Sequence, residues 1–348
     1  MIRATTNGTL KAYRSSLNRS TLRLNSARNT VLTQRNFNSY AESPAAAAES
    51  FQLRRSYLRV SAQLDVSQSV GRKFDTAYSA IDTVVGLVDN NAESSALSAI
   101  MSGVSDPTGQ GRTALGEQLI QLSDSIIESL NCKHGDQFVF SGADGLTIPF
   151  SWEGEGDERQ LYFRGYLVDE NSDMLKYISE REHRYVDVGI GLEEDENNNL
   201  IASSAFDSTL QGIGVLGHGV DENGLPNNIA SIVYKMGTIL SRCSEDGGAW
   251  ASEEDQAQFK QLMEKFNDST SVLKKYHVDM STKADYLANN HELLENTAYT
   301  LNEQILAIEQ CDLADAITSF SWAQYCYNAA LKVGNGILSE TLMDFMNY

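Results

Sequence analysis

FKQLMEKFNDSTSVLKKYHVDMSTKADYLANNHELLENTAYTLNEQILAI, residues 259–308, is the stretch on which the reading of this 348-residue chain turns. It lies within residues 249–333 after the last glycine of a Gly-Gly turn, and no proline interrupts it. Phe259, Leu262, Phe266, Ser269, Leu273, Tyr276, Met280, Ala284, Leu287, His291, Leu294, Ala298, Leu301, Ile305 and Ile308 recur at steps of three and four. That spacing keeps one helix face along a partner. An uninterrupted helix over 249–333 would run roughly 120 Å. A rod of that length predicts a coiled coil, a bundle or a fibre subunit rather than a compact enzyme.

Working outward, the rest of the chain supplies partners for the rod. Residues 1–41 contain no acid, and their cations are Arg3, Lys11, Arg14, Arg19, Arg23, Arg28 and Arg35. Leu10, Tyr13, Leu17, Ser20, Leu24, Ala27 and Val31 keep heptad spacing, so this is a basic amphipathic helix. The opposite end is acidic. Asp285, Glu292, Glu295, Glu303, Glu309, Asp312, Asp315, Glu340 and Asp344 face only Lys332 beyond position 284. Opposite signs predict that the two ends lie side by side, with charge setting register and apolar stripes supplying most of the energy.

Ser43-Pro44 reads as an N-cap followed by the first residue of a second helix. Its stripe is Leu53, Tyr57, Val60, Leu64, Ser67, Gly71, Phe74, Tyr78, Ile81, Val85 and Val88, a natural partner for the rod. After a break at Met101–Gly111, a third helix carries Leu115, Leu119, Leu122, Ile126 and Leu130. From Gly135 the pattern turns to strand: Phe138–Phe140, Ile148–Trp152, an acidic glycine turn at Glu153–Asp157, Gln160–Arg164 and Arg184–Gly191. A polar loop at Glu193–Asn199 follows, then a short helix marked by Ile229, Ile232, Met236, Ile239 and Leu240, closed by Ser244–Gly248. Past Ile308 the apolar seam rotates to Leu313, Ile317, Phe320, Gln324, Tyr327, Leu331 and Leu338, which suits a last arm with its own partner. Gly334 and Gly336 are expected to end that helix.

The fold class expected is therefore mainly α with a β-rich insert, the body being a long antiparallel bundle or coiled coil built from both chain ends. Terminal arms at 1–42 and 309–348 would flank a bundle body at 43–135 and 250–308, and the β-rich insert with its short helix would occupy 136–249. The side chains expected to carry assembly are Leu10, Tyr13, Leu17, Leu24 and Val31 with Arg14, Arg19 and Arg23 on the first arm. On the last arm they are Leu313, Ile317, Phe320, Tyr327 and Leu331.

A net charge of -20 argues against a nucleic-acid partner. No apolar run reaches the length of a membrane span, and the N-terminus has no apolar signal core. Cys132, Cys243, Cys311 and Cys326 do not form a disulfide framework and read as buried small apolar residues. Cys132, His134 and His183 lack a second pair at zinc spacing. Asp221-Glu-Asn-Gly lacks the glutamate of a calcium loop and reads as an Asx and glycine turn. His291, on the apolar stripe, reads as a packed histidine. No phosphate loop, dinucleotide fingerprint or nucleophile elbow is present, so no cofactor and no catalysis are expected.

The break Asn36-Phe-Asn-Ser-Tyr-Ala-Glu-Ser-Pro-Ala-Ala-Ala-Ala48, the segment Ile308-Glu-Gln-Cys-Asp-Leu-Ala-Asp-Ala-Ile-Thr318 and Gln324-Tyr-Cys-Tyr-Asn-Ala-Ala-Leu331 resemble signatures of the flagellin superfamily. The resemblance covers roughly residues 1–142 and 250–348. Pro44, Gly135-Asp-Gln-Phe-Val-Phe-Ser-Gly142 and the tail Leu342-Met-Asp-Phe-Met346 are more similar to its hook-filament junction members than to filament flagellin. Glu42-Ser43 departs from the acidic pair usual before that turn, and the middle does not align. The resemblance implies a structural subunit exported through the flagellar type III route without a cleavable signal and assembled outside the cell. Its implied partners are copies of itself, another hook-associated protein, flagellin and an export chaperone, without membrane insertion. Filament flagellin and an unrelated coiled-coil scaffold are the alternative readings.

Overall fold

The computed structural model describes residues 2–89, 111–189, 191, 193–195, 201, 205–243 and 249–346. The expected breaks at 101–110 and 244–248 and much of the polar loop at 193–199 lie outside them. The described elements are α1 (Ile2–Thr33), α2 (Pro44–Val88), α3 (Arg112–Leu130), β1 (Lys133–His134), β2 (Gln137–Phe138), β3 (Phe150–Glu153), β4 (Gln160–Phe163) and β5 (Tyr166–Leu167). They continue with α4 (Asp173–Arg181), β6 (Tyr185–Val186), β7 (Phe206–Asp207), α5 (Gly212–Leu216), α6 (Ile229–Ser241), α7 (Glu253–Glu309) and α8 (Leu313–Met346). The protein is mainly helical with small antiparallel sheets in its middle.

Two compact units result, one made of Met1–Ser61 with Glu295–Tyr348, the other of Ala62–Leu294. Helices α2 and α7 contribute to both. In the first unit, Ser50 and Arg54 of α2 meet Glu309 at the end of α7. In the second, Asn290 donates to Ser67 at 3.4 Å, the Tyr78 and His277 rings stack at 4.9 Å, and Lys274 reaches Asp89 at 2.7 Å. Within this second unit partner numbers rise on α2 as they fall on α7, which defines an antiparallel pair there. On α7 the expected stripe is the buried one: Phe259, Leu262, Phe266, Leu273, Met280, Leu287, Leu294 and Ile305 are all enclosed.

The single rod is corrected. Helix α7 ends at Glu309 and α8 begins at Leu313, although neither glycine nor proline lies between them. Two local forces make the break. Asp312 caps α8 by accepting from the Ala314 and Asp315 backbone N–H groups at 2.7 and 3.4 Å. Gln310 still donates its N–H to the Leu306 carbonyl, but the Cys311 N–H turns to the Gln34 carbonyl and the Glu309 and Gln310 carbonyls accept from Asn36, so the ladder cannot continue past Gln310. The second helix stop is corrected too, since α8 runs through Gly334 and Gly336.

In the second unit Phe74, Phe140, Phe150 and Phe163 are fully enclosed. Helices α3 and α6 cross with glycine on each side. A Cβ on Gly116 would stand 2.7 Å from the Gly237 carbonyl oxygen, so no side chain fits there. The sheets are smaller than expected for a β-rich insert. They are a β1-β2 pair, a β3-β4-β5 meander with Phe150 opposite Phe163, and a β6-β7 pair. Helix α4, which the strand reading passed over, lies among them. Ser172 caps it by accepting from the Met174 N–H, and Leu175 and Ile178 form its buried face.

The turn reading at Asp221 holds: its Oδ1 accepts from the Asn223 and Leu225 N–H groups, each at 2.9 Å, and Gly224 follows at positive φ. His134 Nδ1 contacts the Thr76 hydroxyl and His183 Nδ1 contacts Asp207, so each has its own partner. His291 is half-buried with Nδ1 enclosed, as a packed histidine would be. All four cysteines are free. Burial of all four is corrected: only Cys243 is buried, Cys132 and Cys311 are half-buried, and Cys326 is exposed.

Candidate assembly interface

In the first unit, α1 and α8 pack antiparallel. Gly334, late in α8, lies against Tyr13, early in α1, while Cys311 Sγ contacts the Thr30 carbonyl at the other end. On α1 the expected stripe faces its partner, and Leu10, Tyr13, Leu17, Ser20, Leu24, Ala27 and Val31 are each half-buried.

On α8 the seam is a different one. Ala316, Phe320, Ala323, Tyr327, Ala330 and Gly334 turn inward at alternating steps of four and three, Ala316 and Gly334 being buried. Of the expected set, Phe320 and Tyr327 belong to this seam. Leu313, Ile317 and Leu331 remain exposed, at 44, 48 and 42%. The physical reason is size: three alanines and a glycine let the helices approach closely around the large α1 side chains. The Tyr13 ring fills the place a Cβ on Gly334 would need. Larger aliphatic residues attract attention in a sequence, and here they are the ones left outside.

The charges do not join the arms in the way their signs imply. Arg14, Arg19 and Arg23 are exposed, and Arg19 contacts only Ser16, at 3.5 Å, in the hydrogen bonds described. Most of the C-terminal acids belong to α7. Among the described residues, the ion pair between the first 41 residues and that acidic stretch is Arg35 with Glu309, at 3.5 Å.

Glu309 is the residue the sequence did not single out. Its carboxylate accepts from Arg54 Nε and Nη2 at 2.6 and 2.5 Å and from the Ser50 hydroxyl. The Arg54 hydrogen bond foremost, with Ser50 and Arg35 adding to it, holds its pKa down to about 2. The surrounding backbone is equally committed. Asn36 donates from its N–H to the Glu309 carbonyl at 2.8 Å and from its amide to the Ile308 and Gln310 carbonyls. Cys311 donates to the Gln34 carbonyl at 3.2 Å, with Gln34 itself at φ 57. The joints α1–α2 and α7–α8 are thereby tied together.

A groove of about 660 Å³ runs along one side of the arm pair, between Arg19, Arg23 and Ala27 of α1 and Trp322, Ala323 and Cys326 of α8. Trp322 is 65% exposed and Tyr325 69%. Helix α8 therefore turns its small residues toward the large side chains of α1, while large apolar groups of α8 and cations of α1 face outward.

Terminal helices folded back on each other, a helical body drawn from both ends and a β-containing middle make up this fold. A structure from Vibrio parahaemolyticus, described as that of a "putative flagellar hook-associated protein", superposes with a TM-score of 0.53 at 15% identity, over 77% of this chain and 99% of that one. FlgL of Xanthomonas campestris is 13% identical over 75% of this chain and 99% of its own, with a TM-score of 0.37, too loose a superposition to bear on the fold. No family model and no curated protein sequence matches the chain.

Proposed function

We propose that the protein is a structural subunit of the bacterial flagellum that joins hook to filament and assembles through its terminal helices. The observation that carries this reading is the antiparallel α1/α8 pair with exposed apolar side chains on α8, Leu313, Ile317 and Leu331 on one side and Trp322 and Tyr325 on another. A two-helix arm with that much apolar surface facing water gains order and free energy by burying it against neighbours. The likeness in fold to a hook-associated protein supports the flagellar setting. The partners are copies of itself, a second hook-associated protein and flagellin, with an export chaperone before assembly. Export follows the flagellar type III route, the assembled subunit is extracellular, and its role is architectural rather than catalytic.

Deleting the gene tests this directly. Cells should keep hooks, lose attached filaments and shed flagellin into the medium. Adding the purified protein to hooks that carry their other junction component should restore filament growth, and the protein alone should not extend into long filaments. Immunolabelling along whole filaments, instead of at a narrow band near the base, would assign it to filament flagellin instead.

A further inference from the structure

A cleft of about 270 Å³ opens in the Ala62–Leu294 unit, lined from β3, from the segment after β5 and from α6. Three buried atoms on its wall, Trp152 Nε1, Asp169 Oδ1 and Ser231 Oγ, lack a hydrogen bond of good geometry, although Ser231 stands close enough to the Asp169 carboxylate to lower its pKa against the effect of burial. Ser231 is only 2% exposed. Buried polar atoms are normally satisfied, and leaving one unpaired is destabilising. Three converging on one space mark a place where a ligand's polar groups belong.

The rest of the wall is firmly held. The Arg159 guanidinium lies 4.7 Å from the Trp152 ring centre and 5.4 Å from that of Tyr234, and it also binds Asp124 at 2.8 Å. Tyr234 donates its hydroxyl to the Gly156 carbonyl at 2.7 Å. Burial pushes the Asp169 carboxyl pKa upward, as expected for an oxygen kept from water.

Charge decides the ligand class. Each cation on the wall already has an acid: Arg159 has Asp124, Lys235 has Asp169 Oδ2 at 3.6 Å, and Arg242 has Asp255 at 3.8 Å. An anion would find no uncompensated cation and would meet the open Asp169 oxygen. The unmet needs are one donor, one acceptor and one hydroxyl able to do both. Ligand hydroxyls meet all three without net charge, and the volume lies at the small end of ligand sites. We infer that this cleft binds a neutral monosaccharide, whose hydroxyls donate to Asp169 Oδ1, accept from the Trp152 indole N–H and exchange a hydrogen bond with Ser231. The site is independent of the arm interface and of the assembly role.

The full chain with Trp250→Phe and Trp322→Phe keeps Trp152 as the sole indole of its three tryptophans. Its emission should change saturably on titration with glucose, galactose or mannose, and not with inorganic phosphate. Ser231→Ala and Asp169→Asn should each weaken that response roughly tenfold or more. Without sugar, Ser231→Ala should change the unfolding temperature little, because its hydroxyl makes only a poorly formed contact with Asp169. A flat titration with all three hexoses, as a cleft holding only ordered water would give, overturns the inference. So does a response to phosphate alone, or a sugar response that neither variant weakens.

Discussion

Glu309 is one acid among nine beyond position 284, and nothing within its own helix sets it apart. Its distinction comes from Arg54 and Ser50, 255 and 259 positions away. Because its folded pKa is depressed to about 2, its contribution to stability is complete above the unperturbed value of 4.5. That contribution declines as pH falls through this window and is lost near the folded value. Glu309→Gln should cost about 1–2 kcal/mol at neutral pH, a modest figure because Arg54 is half exposed. Denaturation of both proteins from pH 7 to pH 2 checks it: the gap should hold above about pH 5 and close toward pH 2. A gap that persists at the acid end would mean that the carboxylate charge is not what holds the joint. The cleft residues were equally hard to read, since Trp152, Asp169 and Ser231 come from three elements and only the fold gathers them.

At the scale of elements, α8 shows how two similar glycines can differ. Gly336 has open space where a Cβ would stand, so Gly336→Ala should stabilise the helix by up to about 1 kcal/mol. Gly334→Ala would drive a methyl group into Tyr13 and should cost the arm pair about 1–3 kcal/mol. Amide exchange along α1 reads both: faster for the second variant, unchanged or slower for the first. Equal effects would show that the seam is not where α8 places it. Gly116→Ala should cost a similar 1–3 kcal/mol or so in the other unit, visible as a lowered unfolding temperature, because backbone leaves no room on either side of the α3/α6 crossing.

These elements also show how far sequence reaches. The α7 stripe and the α1 stripe were legible because burial of one helix face imposes a period on the residues themselves. The α7–α8 break was not, because the Cys311 N–H and the Glu309 and Gln310 carbonyls pair with Gln34 and Asn36, residues remote in sequence. The α8 seam was misread for a related reason. Close packing there selects alanine and glycine, which carry no hydrophobic signal, while the leucine and isoleucine beside them face outward. Helix α4 does carry a signal in the sequence, the cap at Ser172 followed by Leu175 and Ile178, but it is short and flanked by strand-like runs.

For the whole molecule, the distribution of charge and apolar surface bears on assembly. Copies that each carry a charge of -20 repel one another, and α1 is the stretch where cations gather without acids. Within one chain Arg14, Arg19 and Arg23 stay exposed, although the acids of the same chain are numerous. Reversing all three to glutamate should therefore leave the unfolding of the monomer within about 0.5 kcal/mol of the parent. Under the proposed function it should nevertheless impair incorporation into the flagellum, because the charge that α1 presents to a neighbouring copy would be reversed. Leu313→Ser, Ile317→Ser and Leu331→Ser combined should do the same through lost apolar contact, again without unfolding the arm pair whose seam they do not join. Raised salt should partly rescue the charge variant and not the apolar one, since screening relieves repulsion but cannot replace buried area. Normal incorporation of both triple variants would mean that the outward faces of the arms are merely solvated and that assembly uses another surface. Loss of monomer stability in either would instead place those side chains in the intramolecular seam.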